Sequence, residues 1–259
     1  MDRAGSPGAN GAGPRWYEPA LPQFGPPDSG IVTIRAAGYD LTQPWFASVK
    51  IRVERPYASP TLINRGLLIG PVGTVEGHVR QLLKGRFTER LSGRGGQFLV
   101  GRSDVDGHGL VAWQGRWNEV YGWVNQPDVP TSQMLRLFDR LTFRDSRLGV
   151  RVVTRAIPKE TLYAIEITKH VPGVGFLFIH KGNDAAELLP RWSGARVRSG
   201  EVWRKNVALP GNAGEEVLVH ASSSAVTVLY SEQPVPAASA SRDTVRLDFL
   251  DQLEELSWV

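Results

Sequence analysis

The stretch that decides the fold is GQFLVGRSDVDGHGLVAWQGRWNEVYGWVN, Gly96–Asn125. It contains three short apolar runs, GQFLVGRS, GLVAWQG and NEVYGWVN, joined by segments rich in Gly, Asp and Asn. Runs of strand length bounded by turn-forming residues are typical of β-strands that follow one another in a meander. This part of the chain is therefore predicted to form antiparallel sheet.

The same pattern continues on both sides of this stretch. Further strand-like runs are IVTIRA, WFASVKIRVE and TLINRGLLIG before it, and GVRVVTR, TLYAIEIT, GFLFIHK, EVWRKNVAL, EEVLVHA and AVTVLYS after it. Helical spacing of apolar residues occurs from Thr74, from Thr131 through Phe143, and in a short segment that Asn183 would cap. Because strands and helices do not alternate regularly, the sequence predicts an α+β fold. We expect mainly antiparallel β-sheet meanders with two or three helices packed on one face, and the recurring strands–helix order also fits two similar halves.

The domain organisation follows from the changes in composition. Residues 1–30 are rich in Gly and Pro and predict a disordered or extended tail. Residues 31–155 predict an α+β half, and residues 156–233 a second, mostly β half. Residues 234–259 read as a linker followed by an acidic amphipathic segment, either a helix or a strand leading into one.

Both ends of the chain carry apolar side chains that favour contact with another surface. Trp16 and Tyr17 interrupt the polar tail, and such side chains are costly to leave in water. Leu250 and Leu253 belong to a row of leucines in the C-terminal segment. Flexible ends with apolar residues commonly become ordered on a partner, so these four residues are candidates for partner binding.

Composition excludes several classes of chemistry. The chain has 259 residues and no cysteine, which rules out disulfides, thiol catalysis and Cys-based metal sites. The net charge of +4 is modest. No run approaches the roughly 20 apolar residues of a membrane span, and the N-terminus lacks the apolar core of a secretory signal. We therefore expect a soluble, cytoplasmic protein without a cofactor.

The segment DVDGHG brings Asp104, Asp106 and His108 together, which raises the question of a metal site or an acid/base cluster. As a calcium loop it begins correctly but has Gly115 where a bidentate Glu is required. As a zinc site it lacks a second histidine at a suitable spacing. Asp and Gly between two apolar strands are explained by a hairpin turn. We predict a turn and no metal, and keep the three side chains as candidates for acid/base catalysis.

Four aromatic residues, Trp113, Trp117, Tyr121 and Trp123, cluster in the same meander. If they share an exposed face, they form a platform for a sugar, an apolar ligand or a partner protein. If they face the helix that begins near Thr131, they belong to the core. A meander that packs on a helix needs a buried face, which favours the core.

The nearest approach to a basic nucleic-acid surface is RVRSGEVWRK, with Arg196, Arg198, Arg204 and Lys205. Strong binding of a polyanion usually needs several clustered positive charges. The segment fits the solvated face of a strand pair better, so a nucleic-acid partner is not expected.

The segment from Gly109 to Arg155 runs from a Trp-bearing hairpin through VPTSQMLRLFDRLTF to GVRVV. This order resembles a module of bacterial sigma-factor regulators and lipoprotein-carrier-like proteins, in which antiparallel sheet is followed by a capped helix. The resemblance implies an α+β fold and a binding role. It contains no catalytic motif, so it assigns no functional residues. Those proteins are usually exported or membrane-anchored, whereas this sequence predicts neither.

The sequence thus favours a soluble, non-catalytic interaction protein, an accessory, regulatory or assembly component with a protein partner or a second copy of itself. It would act through its aromatic-bearing tails and a Trp-rich surface. The alternative is a small-ligand-binding protein or an enzyme with a Trp-lined pocket, using Asp104, Asp106 or His108 as acid/base. The position of these side chains relative to Trp113 and Trp123 distinguishes the two hypotheses.

Overall fold

A computed structural model describes residues 21–53, 66–81, 84–154, 160–207, 215–232 and 240–259. The strands of these residues, numbered along the chain, are β1 Gln23–Phe24, β2 Val32–Ala36, β3 Trp45–Val53, β4 Gly66–Pro71, β5 Gly85–Gly93, β6 Gly96–Ser103, β7 His108–Gln114, β8 Asn118–Pro127, β9 Leu141–Ser146, β10 Gly149–Thr154, β11 Glu160–Val171, β12 Gly175–Lys181, β13 Ala195–Val197, β14 Gly200–Val207, β15 Glu215–Ala221, β16 Ala225–Ser231 and β17 Leu253–Trp258. The helices are α1 Thr74–Gln81, α2 Thr131–Met134 and α3 Ala240–Asp251, with 3-10 turns at Leu135–Leu137, Gly182–Asp184 and Ala186–Leu188.

Most of the strands belong to one twelve-stranded sheet in the order β13-β14-β15-β16-β12-β11-β3-β4-β8-β7-β6-β5. Every neighbouring pair in it is antiparallel, which confirms the predicted antiparallel sheet and the α+β class. The meander β5–β8 forms one end of this sheet. The sheet also joins the two predicted halves, because β3 pairs with β11 from Trp45 opposite Lys169 to Val53 opposite Glu160.

The two edges of the large sheet are poorly suited to pairing with another strand. β13 has only three residues. β5 has nine residues but is interrupted by a bulge between Phe87 and Glu89, and Glu89 and Arg90 on it are exposed. Short strands, bulges and charges are the usual protection of a sheet edge.

The two faces of the sheet are covered differently. The inner face carries the alternate residues of β3 from Trp45 to Ile51, and its main hydrophobic core extends from Phe98 on β6 to Val202 on β14. The three-stranded sheet β1-β2-β17, the hairpin β9–β10, α2 and α3 contribute side chains to this core. The outer face is covered by α1 over β6–β8, and by the 3-10 segment around Leu188 over β14–β16. The helices therefore lie on both faces, and not on one as the sequence suggested.

The helix predicted through Phe143 is much shorter in the structure. α2 has four residues and continues as the 3-10 turn Leu135–Leu137, after which the chain becomes strand β9. In β9 the buried residues Leu141 and Phe143 alternate with exposed ones, which is the period of a strand. The segment around Asn183 likewise forms two 3-10 turns without a side-chain cap.

The ends of the described chain belong to the core. Residues 21–30, predicted as part of the tail, include β1, where the Phe24 ring stacks on Trp45 with 5.7 Å between centroids. The C-terminal segment is a helix followed by a strand, and Leu250 and Leu253 are completely buried in the main core. The proposed partner-binding role of these two leucines is therefore wrong for the folded chain, because their own fold occupies them.

A buried carboxylate holds the N-terminus of α1. Glu119 has no exposed surface and accepts hydrogen bonds from the Val75 amide, the Thr74 hydroxyl (3.2 Å) and the Gln114 amide (3.1 Å). Burial raises the pKa of Glu119, and these hydrogen bonds oppose that shift. The N-terminus of α1 is therefore capped by a residue 44 positions away from Val75 in the sequence.

A buried ammonium organises the loop that precedes β3. Lys169 has no exposed surface, donates hydrogen bonds to the carbonyls of Leu41 (2.7 Å) and Gln43, and lies 4.4 Å from the centroid of the Trp45 ring. Burial lowers the pKa of Lys169 to about 8. The charge is compensated by carbonyl dipoles and an aromatic face, which explains how a lysine is accommodated in the inner core.

His220 is the titratable side chain of β15 that lies in the core. It has no exposed surface, its Nε2 lies 3.0 Å from the Ser199 hydroxyl, and its Nδ1 has no hydrogen-bond partner. Thr227, directly opposite on β16, has a buried hydroxyl that is also unpartnered. Burial lowers the pKa of His220 to about 4, so the ring is neutral at pH 7.

The first prediction tests whether the C-terminal leucines are core residues. Leu250→Ala should lower the free energy of unfolding by about 2–5 kcal/mol, because it leaves a cavity at a fully buried position. Val245→Ala is the matched control on the same helix, since Val245 is 42% exposed and should change stability by less than about 0.5 kcal/mol. Urea unfolding measures both values, and equal small effects would show that α3 is not packed as described.

The second prediction concerns the dependence of stability on pH. The unfolded chain protonates His220 near its ordinary pKa of about 6.5, whereas the folded chain does so only near about 4. As the pH falls through this window the unfolded state gains a proton that the folded state does not, so the free energy of unfolding falls, by up to about 3 kcal/mol. His220→Gln lacks this titration and should lose less stability between pH 7 and pH 4. Parallel pH profiles of the two proteins in urea unfolding would contradict the assignment.

Candidate binding surface

The hairpin β9–β10 carries a concentrated positive charge on its exposed side. Phe143, Val150 and Val152 point into the main core, so the intervening residues Arg144 and Arg151 point outward. The register places Arg144 directly opposite Arg151, and both side chains are exposed. Directly opposite side chains on antiparallel strands have Cβ atoms about 5 Å apart.

Two like charges in this position oppose folding. A like-charged cross-strand pair destabilises a sheet by a few tenths of a kcal/mol up to about 1 kcal/mol. Within the described part of the chain, neither Arg144 nor Arg151 lies within ion-pair distance of a carboxylate. Packing of the fold does not require arginine at either position, because both side chains are exposed. The pair is therefore the clearest candidate for a functional feature.

A second pair of arginines lies beside the hairpin tip. The guanidinium groups of Arg116 and Arg147 each lie 4.7 Å from the centroid of the Trp117 ring. Asp145 holds the turn between β7 and β8 that carries Arg116 and Trp117. Its carboxylate accepts hydrogen bonds from the Trp117 amide (2.8 Å) and the Asn118 side chain (2.7 Å). We call these five residues, the outward pair Arg144 and Arg151 together with Arg116, Arg147 and Trp117 at the hairpin tip, the arginine face.

The hairpin that presents the arginine face is held firmly at its edge. The Gly25 amide donates to the Leu148 carbonyl and the Val152 amide donates to the Pro27 carbonyl, both at 2.8 Å. Gly149 has a φ of +150°, and a Cβ there would lie 2.5 Å from the Gly25 carbonyl oxygen. The N-terminal segment thus covers the outer edge of β10 and requires glycine at this position.

The basic segment identified from the sequence, Arg196–Lys205, differs from the arginine face because most of its positive charges have partners. Arg198 lies 3.8 Å from Glu254, and Arg204 lies 3.4 Å from Glu216. Lys205 donates to the Leu188 carbonyl at 3.4 Å. Only Arg196 of that segment is exposed without such a partner in the structure, so the segment does not form a continuous basic stripe.

The residues Asp104, Asp106 and His108 form the turn between β6 and β7. The His108 Nδ1 lies 3.1 Å from the Asp106 carboxylate, which also accepts the His108 amide at 3.1 Å. Hydrogen bonds from Ser103 and from this amide hold the pKa of Asp106 below its usual value. Asp104 and Asp106 are exposed, and the former lies 3.9 Å from Arg86. The arrangement is that of a hairpin turn stabilised by its own side chains.

The four aromatic residues of the meander do not share one face. Trp113 is 1% exposed on the inner face and packs on Phe143, with 4.8 Å between ring centroids. Tyr121 and Trp123 lie on the outer face with the cluster under α1. Trp117 belongs to the turn and to the arginine face. These four residues therefore do not form a common aromatic platform. The other two aromatic candidates, Trp16 and Tyr17, lie outside the described residues.

The middle of the outer face is left open between its two covers. There Glu166 and His180 approach to 3.6 Å on neighbouring strands, and both are partly buried. Burial raises the pKa of Glu166 and lowers that of His180, so desolvation opposes charge on both groups. Phe176 is 37% exposed nearby on β12 and stacks on His170. This polar strip with aromatic neighbours was not identified from the sequence, because its residues are spread over the two strands β11 and β12 and only their pairing brings them together.

The described residues assemble neither a metal centre nor a nucleophilic site. Among the residues that the structure describes, no group of three His, Asp or Glu side chains is placed to hold a metal ion. Ser199 and His220 form a hydroxyl–imidazole pair at 3.0 Å, but the ring is fully buried and its Nδ1 lacks the carboxylate that orients a catalytic histidine. The pair fastens the turn before β14 to β15.

No helix of the described residues is long and apolar enough to cross a membrane. Comparison with protein-family models, with curated proteins and with solved structures found no match for this chain. The resemblance of residues 109–155 to sigma-factor regulators and lipoprotein-carrier-like proteins therefore stays a prediction, and the function has to be argued from the surface itself.

Proposed function

We propose that this chain is a non-catalytic binding protein, an accessory, regulatory or assembly component whose partner docks on the arginine face. The observation that carries the proposal is Arg144 opposite Arg151 on an exposed hairpin. The fold does not require these two arginines, and their charges repel each other. An acidic partner that neutralises both charges explains why arginine occupies both positions. The partner we propose is an acidic protein segment.

Two observations favour a protein partner over a nucleic acid. A nucleic-acid surface interleaves basic residues with aromatic rings that stack on bases. The one ring in the arginine face, Trp117, already has two guanidinium groups over it and offers little area for stacking. The further basic residues Arg198 and Arg204 are paired with carboxylates elsewhere. The positive surface is thus small and suited to a short acidic segment.

The structure gives less support to the alternative hypothesis. In that hypothesis the chain is a small-ligand binder or an enzyme that uses Asp104, Asp106 and His108. These side chains are engaged in the turn, and Trp113 lies on the opposite side of the sheet from Trp123. If a small ligand is bound, the open strip at Glu166 and His180 is the better location, because a partly desolvated carboxyl group and a partly desolvated imidazole lie beside exposed aromatic surface.

The third prediction tests the arginine face with a labelled oligo-glutamate peptide. The double variant Arg144→Glu and Arg151→Glu should weaken binding at least about tenfold, because it replaces two attractive charge contacts by repulsive ones of about 1 kcal/mol each. The affinity of the unaltered protein should also fall as salt rises, since exposed charges are screened. Fluorescence anisotropy at two salt concentrations measures both effects.

The matched control is the double variant Arg90→Glu and Arg196→Glu, which makes the same change in net charge at exposed positions outside the arginine face. It should bind the peptide nearly as well as the unaltered protein. Equal losses in the two variants would show that only net charge matters and would refute a specific surface. Tighter, arginine-dependent binding of single-stranded DNA would overturn the assignment to a protein partner. Circular dichroism establishes that all variants are folded.

A further inference from the structure

We infer that the cross-strand pair Arg144 and Arg151 recognises a phosphomonoester dianion, so that the partner is a phosphorylated acidic protein segment. This inference rests on the proposed function and names the group that the arginine face selects. It follows from the pairing of the two arginines, from the absence of a competing carboxylate within the described part of the chain, and from the second arginine pair nearby.

The first step is the match of charge. Two guanidinium groups on directly opposite residues present a charge of two within a few ångströms. A carboxylate carries a single negative charge and neutralises one of them, whereas a phosphomonoester carries nearly two at pH 7. A dianion therefore removes the repulsion between Arg144 and Arg151 in one contact, which a single Glu or Asp cannot do.

The second step is the match of shape. An arginine offers a planar fork of N–H donors that fits two oxygens of a phosphate, and a phosphate has three terminal oxygens to share between two such forks. Thr142 lies two residues before Arg144, so its exposed side chain points to the same side of β9 and adds a hydroxyl donor. The local chemistry suits a tetrahedral oxyanion better than a planar carboxylate.

The third step is the position of the second pair. Arg147 lies in the turn between β9 and β10, and its guanidinium group and that of Arg116 each lie 4.7 Å from the centroid of the Trp117 ring. A bound segment that continues from the Arg144–Arg151 pair around the hairpin tip would bring its acidic side chains to this second pair. The Asp145 carboxylate, which points to the opposite side of β9 from Arg144, is held by the Trp117 amide and the Asn118 side chain.

The fourth prediction uses two peptides of identical glutamate-rich sequence, one with a central serine and one with phosphoserine. The phosphorylated peptide should bind the unaltered protein about tenfold more tightly at pH 7.5, the effect of one or two additional hydrogen bonds to charged groups. Near pH 5, below the second phosphate pKa of about 6, the phosphate is a monoanion and most of this advantage should disappear. Fluorescence anisotropy at both pH values measures the ratio.

The matched variant is Arg144→Lys with Arg151→Lys, which keeps both charges and removes both forks. It should bind the unphosphorylated peptide within about threefold of the unaltered protein, and the preference for phosphoserine should fall but not vanish, because the match of charge is kept while the forks are lost. Retention of the full preference in this variant would overturn the role of the arginine forks.

The remaining outcomes separate this inference from the proposed function. If the acidic peptide binds through the arginine face but phosphorylation adds nothing, the inference fails and the proposed function stands. If neither peptide binds, both fail. If inorganic phosphate displaces the phosphopeptide at an equal concentration, the site takes a free anion and the assignment to a protein segment is wrong. The assignment to a protein segment would also be wrong if the protein bound vesicles with phosphate-bearing headgroups more tightly than it bound the peptide.

Discussion

The structure depends on covering the inner apolar face of the large sheet. This face runs through most of the twelve strands, from Phe98 at one end to Val202 at the other, and nothing in the sheet itself shields it from water. Burial of apolar area contributes about 25 cal/mol per Å², so such a face is a dominant source of stability only when other elements cover it. β1, β2 and β17 from the two ends of the chain, the hairpin β9–β10 and α3 provide that cover. β1, β2, α3 and β17 are therefore parts of the fold itself, which is why Leu250 and Leu253 are core residues.

The arginine face is a consequence of this arrangement. Since β9 and β10 bury one side against the core, period-two alternation presents the other side to solvent. The positions of Arg144 and Arg151 are therefore free to vary without disturbing the packing. Packing of β9 and β10 on the core fixes the positions of these two side chains. Because the core does not require arginine at either position, the residue types there can be suited to binding. A rigid strand scaffold with exchangeable outward residues is well suited to hold charged groups in a defined geometry.

The sequence predicted the strands better than the helices, and local features better than distant ones. Apolar runs of strand length identified β2, β3 and the meander β6–β8, and Asp and Gly identified the turn at Asp104–His108, because all of these signals lie within a few residues. The predicted helix through Phe143 was wrong because Leu141 fits both patterns: it follows Phe138 at helical spacing and precedes Phe143 at the period of a strand. The cap of α1 by Glu119 was invisible, because its partners are distant in sequence and only tertiary packing brings them together.

The same reasoning explains why the candidate surface was missed. Sequence inspection searches for charges that are close together along the chain and so singled out Arg196–Lys205. In the fold, Arg198 and Arg204 of that segment are paired with carboxylates from other strands. Arg116, Arg144, Arg147 and Arg151 come from two separate turns and neighbouring strands, and only the register of β9 with β10 places two of them opposite each other. The cross-strand pair Arg144 and Arg151 is more informative than a basic run in the sequence, because within the described part of the chain the fold pairs most charges of that run and leaves these two opposite each other without a carboxylate.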